Sequence, residues 1–233
     1  MLPEQEIELA GRRTIAIGGD DARALVILLH GFAMKPEELA PFAHSLGVPA
    51  RFYFPEGPAP AALVPGEPRG RAWWHIDPAA RLEAMSIGPR DFATYEPADL
   101  PAARALCGAI VDRVIEEAAG RPVILGGFSS GGMLAFDTQL RAPRAIRGLA
   151  LLSATRIAWS SQRAFVEAAP LGGLPALLTH GEADDDLAFS AGLALRDAAI
   201  AAGCDVTWAP FDGAHEIPLV AWRKLRTWLR ALI

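Results

Sequence analysis

Short apolar runs alternate with longer segments of mixed polarity along most of the chain. The clearest run, Ala24–Leu29, is aliphatic at every position, as expected of a strand that is buried on both faces. Pro36–Leu46 follows as a predicted helix, with proline in its first turn and two glutamates near its positive end. Residues 51–54 are then predicted as a short strand that ends at Pro55.

The second half of the chain repeats this cycle of strand and helix. A long helix is predicted over residues 100–119, and Gly120 can end it. The later predicted strands are residues 122–125, 146–152, 175–179 and 205–209. The later predicted helices are residues 131–140 and 187–202 and the amphipathic segment 217–232.

Strands that alternate with helices indicate βαβ units, and hence a mostly parallel sheet with helices on both faces. No linker interrupts the pattern, so residues 1–233 are predicted to form a single α/β domain without a large cap domain. Residues 55–97 are irregular and rich in proline and glycine, which is typical of a functional connection or of one that carries short elements. Residues 156–170 are too few for a cap domain, and whether they form a small lid is an open question.

Composition narrows the class of protein further. The 233 residues carry 22 Lys and Arg against 27 Asp and Glu, a net charge of −5, and 52% of them are hydrophobic. This excludes a disordered chain, and the lack of a basic stripe argues against a nucleic acid partner. Cys107 and Cys204 cannot form a disulfide framework or a cysteine zinc site. The polar, acidic start and the short apolar runs predict a cytoplasmic protein without a signal peptide or a membrane span.

The candidate nucleophile is Ser129. It stands in Gly-Phe-Ser-Ser-Gly, residues 127–131, a G-x-S-x-G motif between a predicted strand and a predicted helix. Such a turn lifts the serine hydroxyl off the sheet, and the following helix directs N–H groups towards an oxyanion. The alternative is a glycine-rich turn with an incidental serine, and the position of the motif favours the nucleophile.

A base and an acid should follow on later strand ends. Of the five histidines, His215 is the one on the loop between the last strand and the last helix, from which a mobile loop could bring it to the serine. The acid is expected after the strand at residues 175–179, where the chain offers Glu182, Asp184, Asp185 and Asp186. Composition does not choose among them, and such a cluster can also be a solvated turn that caps a helix.

The oxyanion hole needs backbone donors. One is expected to be the N–H of Ser130, directly after the nucleophile, and the other the N–H of Phe32, in the loop after the first buried strand. His30, at the end of that strand, is interpreted as a structural residue and not as the base.

These motifs together resemble the carboxylesterase/phospholipase branch of the α/β-hydrolases, to which acyl-protein thioesterases belong. The resemblance runs from about residue 20 to the end and rests on residues 29–32, 72–74, 126–132, 180–184 and 213–215. It implies the α/β-hydrolase fold, with Ser129 as nucleophile, Asp184 as acid and His215 as base. It also implies a substrate pocket near Trp73, Trp74 and Phe32, although Trp73 and Trp74 could equally belong to the core.

The sequence departs from this family in three places. Ser130 stands where glutamine is frequent, and its backbone donor is unaffected. Asp185 stands where proline or an apolar residue is common, so it stays an alternative to Asp184 as the acid. Residues 75–97 do not match the thioesterases, which leaves the acyl-chain preference open.

The resemblance and the motifs together predict a serine hydrolase that cleaves carboxylic esters of short to medium acyl chains through an acyl-enzyme. A thioesterase acting on acyl-protein or acyl-CoA, or a lysophospholipase, is the alternative within the enzymes. A catalytically silent binding module on the same fold is the alternative of another class. The expected partner is a small-molecule ester, a homodimer is an open question, and no metal or cofactor is implied.

Overall fold

Ten strands and seven helices make up the structure, a computed structural model that describes residues 2–233. The strands are β1 (Glu4–Leu9), β2 (Arg12–Ile17), β3 (Ala24–Leu29), β4 (Ala50–Pro55), β5 (Ala59–Ala62), β6 (Pro68–Ala72), β7 (Val123–Phe128), β8 (Gly148–Leu152), β9 (Pro175–Gly181) and β10 (Asp205–Phe211). The helices are α1 (Pro36–Leu46), α2 (Pro78–Ile87), α3 (Leu100–Ala118), α4 (Ser130–Arg141), α5 (Trp159–Glu167), α6 (Phe189–Ala201) and α7 (Leu219–Leu232). Residue 1, which the predicted domain includes, lies outside the described residues.

Eight of the strands form one sheet in the order β1-β2-β4-β3-β7-β8-β9-β10. All neighbours from β4 to β10 are parallel, whereas β1 and β2 pair antiparallel with each other and β2 pairs antiparallel with β4. The chain leaves β3 to one side for β4 and later returns to its other side for β7, so the strand order reverses at β3. Ligands of open parallel sheets bind at such a reversal, outside the carboxyl ends of the strands.

Helices cover both faces of this sheet, as the alternation of strands and helices predicts. In β3, Leu25, Ile27 and Leu29 pack into one apolar cluster, which also holds the buried faces of α3, α4 and α6. Val26 and Leu28 point to the other face and pack into a second cluster with residues of α1 and α7. The period-two alternation of a strand explains why every position of this run is apolar. The predicted α/β fold class is confirmed.

Several predicted elements end too early. β7 continues through two glycines to Phe128, and its ladder with β8 pairs Gly126 with Ala150 and Gly127 with Leu151. A Cβ on Gly126 would lie 2.6 Å from the Ala150 carbonyl oxygen, so this part of the strand has no room for a side chain. The apolar run ends at Leu125, but the backbone pairing with β8 continues to Phe128. The same applies to β9 and β10, each of which is two residues longer than predicted.

The irregular segments carry short elements of their own. Residues 55–97 contain the antiparallel pair β5–β6 and helix α2, and residues 156–170 contain α5. The hairpin β1–β2, which the hydrophobic pattern did not assign, extends the sheet beyond β4. No helix within residues 2–233 is long and apolar enough to cross a membrane. Both cysteines are buried, and burial raises the pKa of each thiol to about 12.

A buried carboxylate ties α4 to its neighbours. The side chain of Asp137, on α4, is fully buried, and its oxygens accept hydrogen bonds from Arg104 at 2.7 Å and from Arg141 at 2.8 Å. Gln162, on α5, donates a third at 2.8 Å. Because α4 starts at the candidate nucleophile, this network also fixes the helix on which the site depends. A buried charge is tolerated when its partners are present, but removal of one partner leaves the other buried charge uncompensated and destabilises the fold.

We expect Asp137→Ala to lower the free energy of unfolding by about 3 kcal/mol or more, because it leaves two partly buried guanidinium groups without their counterion. Glu116→Ala is the matched control, since Glu116 is exposed and pairs with Arg113 on the surface of α3. Its loss should be below about 0.5 kcal/mol. Urea unfolding curves of the two variants measure the difference, and equal losses would contradict the role given to Asp137.

Candidate active site

Three sequence-predicted residues meet at the carboxyl end of the sheet. Ser129 directly follows β7, Asp184 lies three residues after β9, and His215 lies four residues after β10. Because β7, β8, β9 and β10 are parallel neighbours, their carboxyl ends share one edge. Residues far apart in the sequence are thereby brought within reach of one another.

Ser129 lies on a strained strand-to-helix turn. Its backbone has φ 52° and ψ −122°, a conformation that residues other than glycine rarely adopt. The flanking glycines make the turn possible: a Cβ on Gly131 would lie 2.3 Å from the Leu29 carbonyl oxygen, and one on Gly127 would lie 2.4 Å from the Gly131 carbonyl carbon. The G-x-S-x-G spacing therefore reflects a steric requirement.

The three side chains form a continuous hydrogen-bonded chain. His215 Nε2 lies 2.9 Å from Ser129 Oγ, and His215 Nδ1 lies 2.8 Å from Asp184 Oδ2. The Asp184 side chain is fully buried and that of His215 is 14% exposed. A carboxylate bonded to Nδ1 keeps the proton on that nitrogen, which leaves Nε2 free to accept the serine proton.

Asp184 is the carboxylate that reaches the imidazole. Its Oδ1 accepts hydrogen bonds from the N–H groups of Asp186 at 3.0 Å and Leu187 at 2.7 Å, which fixes the orientation of the carboxylate. Asp185 is exposed at the next position, and neither it nor Glu182 hydrogen-bonds His215 among the described contacts.

The loop that carries His215 is anchored on both sides. The Ala183 N–H donates to the Gly213 carbonyl at 3.0 Å, and Ser153 Oγ donates to the Glu216 carbonyl at 2.9 Å. The loop also packs directly on the end of β9, since a Cβ on Gly181 would lie 2.2 Å from the Ala214 carbonyl oxygen. The sequence suggested a mobile loop, and the structure instead shows the imidazole held in place by these contacts.

Ser130 and Phe32, the predicted sources of the oxyanion donors, line the same cavity as Ser129. Ser130 is the first residue of α4, whose positive end faces the site, and Phe32 lies in the loop after β3. This loop is braced by the β5–β6 hairpin: the Arg71 N–H donates to the Met34 carbonyl at 2.9 Å, and a Cβ on Gly70 would lie 2.1 Å from the Ala33 carbonyl oxygen. Part of the irregular segment therefore positions the Phe32 backbone.

His30 has a structural environment, in agreement with its interpretation from the sequence. Its Nδ1 lies 2.7 Å from the Gly31 carbonyl and its Nε2 accepts the Gly57 N–H at 2.9 Å, which corresponds to a neutral ring. Burial lowers the pKa of His30 to about 4. Burial also lowers the pKa of His180, whose Nε2 lies 3.1 Å from the Leu187 carbonyl.

A cavity of about 190 Å³ opens beside the serine. Phe32, Trp74, Ser129, Ser130 and His215 are among the residues that line it. Trp73 is not among them: its Nε1 donates to the His30 carbonyl at 2.8 Å, so Trp73 contacts the chain directly after β3. Of the predicted pocket residues, Phe32 and Trp74 thus reach the cavity and Trp73 does not. Helix α5 contributes no residue to this lining, so it does not cover the serine in this conformation.

The sequence did not identify two arginines of this cavity. Arg81, on α2, and Arg90, just after it, both line the cavity and both form ion pairs with Asp186. Burial alone would raise the pKa of Asp186, but the charges of Arg90, His215 and Arg81 and a hydrogen bond from Arg90 hold it below its ordinary value. No motif signals these arginines, because they belong to the segment without family resemblance.

Within residues 2–233 no group of three or more His, Cys, Asp or Glu side chains is arranged to hold a metal ion.

Comparison with known proteins places this geometry in context. Residues 10–233 match the family described as Phospholipase/Carboxylesterase. A carboxylesterase from Mesorhizobium loti has a TM-score of 0.75 and 22% identity, over 97% of this chain and 98% of the other. Esterase PE8 has a TM-score of 0.72 and 22% identity, over 100% of this chain and 98% of the other. Acyl-protein thioesterase 2 from Zea mays has a TM-score of 0.73 and 19% identity, over 94% of this chain and 98% of the other. At these identities the solved structures confirm the α/β-hydrolase fold.

We expect stability to fall as the pH drops from about 7 to about 5, because His30 and His180 stay neutral in the folded chain but take up protons when it unfolds. Each such histidine lowers the free energy of unfolding by up to about 1.4 kcal/mol per pH unit below the ordinary histidine pKa of roughly 6.5.

Urea unfolding at several pH values measures this loss. His30→Gln should make the loss smaller, whereas His75→Gln, at an exposed position, should retain the wild-type dependence. An unchanged pH dependence in His30→Gln would show that His30 is not the buried neutral group described above.

Proposed function

Because the chain belongs to the phospholipase/carboxylesterase family, we propose that it is a serine hydrolase that cleaves carboxylic esters through an acyl-enzyme intermediate. The observation that carries the proposal is the hydrogen-bonded chain from Ser129 Oγ through His215 to Asp184. Family membership supports a carboxylesterase-type hydrolase, and the geometry supports the roles of the individual residues.

The geometry supports the following sequence of steps. His215 Nε2 removes the proton from Ser129 as Oγ attacks the ester carbonyl, while Asp184 stabilises the charged imidazole. The N–H groups of Ser130 and Phe32 bind the oxyanion that develops on the carbonyl oxygen. His215 then protonates the leaving alcohol, which leaves the acyl group on Ser129. A water molecule, deprotonated by His215, attacks this ester, and His215 returns the proton to Ser129 Oγ as the acid is released.

The strained backbone of Ser129 fits this role. The serine is held with its hydroxyl against the imidazole before substrate binds, so little reorganisation is needed at the moment of attack. The turn also places the Ser130 N–H at the start of α4, where no preceding helical turn can supply it with a backbone acceptor. One local conformation therefore serves both nucleophile and oxyanion.

We expect Ser129→Ala to lower ester turnover on the order of 10⁴-fold or more, because it removes the nucleophile and leaves binding and the oxyanion donors in place. Ser45→Ala, on the exposed face of α1, is the control and should behave as wild type. Among the candidate acids, Asp184→Asn should cost about 10³-fold or more, whereas Asp185→Asn should cost less than about threefold.

Hydrolysis of para-nitrophenyl butyrate provides the measurement, and a fluorophosphonate probe should label the wild type and not Ser129→Ala. Turnover of Ser129→Ala near that of the wild type would reject the assignment of the nucleophile. Absence of both labelling and turnover in the wild-type protein would support the silent binding module.

A thioesterase or lysophospholipase acting on long acyl chains is the second candidate function. The cavity beside Ser129, at about 190 Å³, lies below the usual range of roughly 300–1,000 Å³ for ligand pockets. A larger cavity of about 480 Å³ adjoins it and shares Ile76, Arg81, Arg90 and Phe92, so both arginines lie where the two cavities meet. This arrangement favours short acyl groups.

We therefore expect kcat/KM to be highest for acetate to hexanoate in a series of para-nitrophenyl esters, and to fall steeply by palmitate, because a long chain must displace the charged groups from the entrance to the second cavity. The same acyl groups presented as coenzyme A thioesters complete the comparison. A sharp optimum at palmitate, or at a long-chain thioester, would favour the second candidate.

A further inference from the structure

The catalytic cavity contains more positive than negative charge. Arg81 and Arg90 line it together with the serine, and their side chains are only 10% and 14% exposed. One carboxylate, Asp186, serves both: Arg81 Nη2 lies 2.8 Å from Asp186 Oδ2, and Arg90 pairs with Oδ1. The other titratable residue in the lining is His215, whose charge in catalysis is matched by Asp184. Within residues 2–233, Asp186 is the one carboxylate that forms an ion pair with Arg81 or Arg90, so two guanidinium charges share a single negative charge.

Two buried donors on residues that line the cavity also lack partners. Arg90 Nε and Trp74 Nε1 are both inaccessible to solvent, and neither has a hydrogen-bond acceptor in the described part of the chain. The Arg81 guanidinium donates a hydrogen bond to Asp186 and has no other acceptor within residues 2–233. Each guanidinium has five N–H donors, and a single hydrogen bond, to Asp186, is described for each of the two arginines, so both have donors left for a ligand.

Holding the acid loop in place does not require both arginines. The backbone already joins the two segments, since the Arg90 N–H donates to the Asp186 carbonyl at 2.9 Å and the Ala188 N–H donates to the Arg90 carbonyl at 3.0 Å. Helix α2, which carries Arg81, has no buried residue. The Arg81 side chain thus brings a charge to the cavity from a helix that contributes nothing to the core.

We propose that the preferred substrates are short esters that carry a carboxylate, and that Arg81 and Arg90 bind this carboxylate in the cavity beside Ser129. The inference rests on the proposed hydrolase function and names its substrate class. A carboxylate supplies a second counterion and can accept hydrogen bonds from more than one donor at once. The second cavity is a poorer place for the anion, because Asp77 and Asp91 line it.

Two pairs of substrates test the proposal. Monoethyl glutarate carries a carboxylate on the acyl side, and ethyl 5-methylhexanoate is its neutral counterpart of similar shape. Carboxymethyl butyrate carries a carboxylate on the alcohol side, and isobutyl butyrate is its neutral counterpart. Hydrolysis is followed by acid release for the wild type and for Arg81→Gln, Arg90→Gln and Arg163→Gln. The last is the control, because Arg163 is exposed on α5 and pairs with Glu167.

We expect the wild type to prefer the charged ester of at least one pair by about tenfold or more in kcat/KM, the effect of one charged hydrogen bond. Arg81→Gln and Arg90→Gln should each lower that preference about tenfold, with the change mainly in KM, whereas Arg163→Gln should retain it. Circular dichroism verifies that each variant is folded, and the ratio of the two esters corrects for any general loss of activity.

Wild-type protein that hydrolyses the neutral ester of each pair at least as well as the charged one would overturn the proposal. So would a preference that persists in Arg81→Gln or in Arg90→Gln. In either case the hydrolase itself would still stand, because its test is the loss of turnover in Ser129→Ala. A wild-type protein that cleaves none of the four esters and does not react with the fluorophosphonate probe would count against the hydrolase itself, and with it against the proposal.

Discussion

The left-handed backbone of Ser129 is the constraint on which the candidate site depends. At φ 52° the chain turns sharply from β7 into α4, and this is possible because Gly127 and Gly131 leave room for the close approach of strand and helix. A strained residue persists only where its surroundings compensate for the strain. Here they do so through the backbone bond from the Ser129 N–H to the Leu152 carbonyl at 2.8 Å and through the buried network around Asp137.

The parallel sheet converts this local turn into a site. It brings the ends of β7, β9 and β10 to one edge, and the loops after β9 and β10 are hydrogen-bonded to each other. The His215 imidazole is therefore positioned by the same contacts that complete the sheet edge. Phe128 packs against it, with the two ring centroids 4.9 Å apart. Pre-organisation of this kind is what hydrolysis requires, because the charges that develop in the transition state then meet groups that are already in place. The family to which the chain belongs is consistent with this reading of the geometry.

The sequence predicted the parts of the structure that follow from local chemistry. Continuous apolar runs such as Ala24–Leu29 predicted the buried strands, and the order of motifs predicted the family. It did not predict the N-terminal hairpin, because strand β1 is largely exposed and has no apolar run. It also did not predict that β7 continues through its glycines, because the pairing of these residues with β8 is a tertiary effect. Asp184 and Asp185 could not be separated by composition, because the choice depends on which carboxylate is buried against the imidazole. Arg81 and Arg90 line the cavity because residues 75–97 run past it, and no local sequence pattern predicts the course of this irregular segment.

If Ser129 is the nucleophile and the Ser130 and Phe32 amides form its oxyanion hole, a crystal structure of the protein after reaction with a small alkyl fluorophosphonate will show both at once. We expect the phosphorus to be bonded to Ser129 Oγ in place of the fluoride, with its phosphoryl oxygen within hydrogen-bond distance of both amide nitrogens and His215 beside the position that the fluoride has left. Attachment of the phosphorus to any other side chain, or an oxygen directed away from both amides, would contradict this assignment.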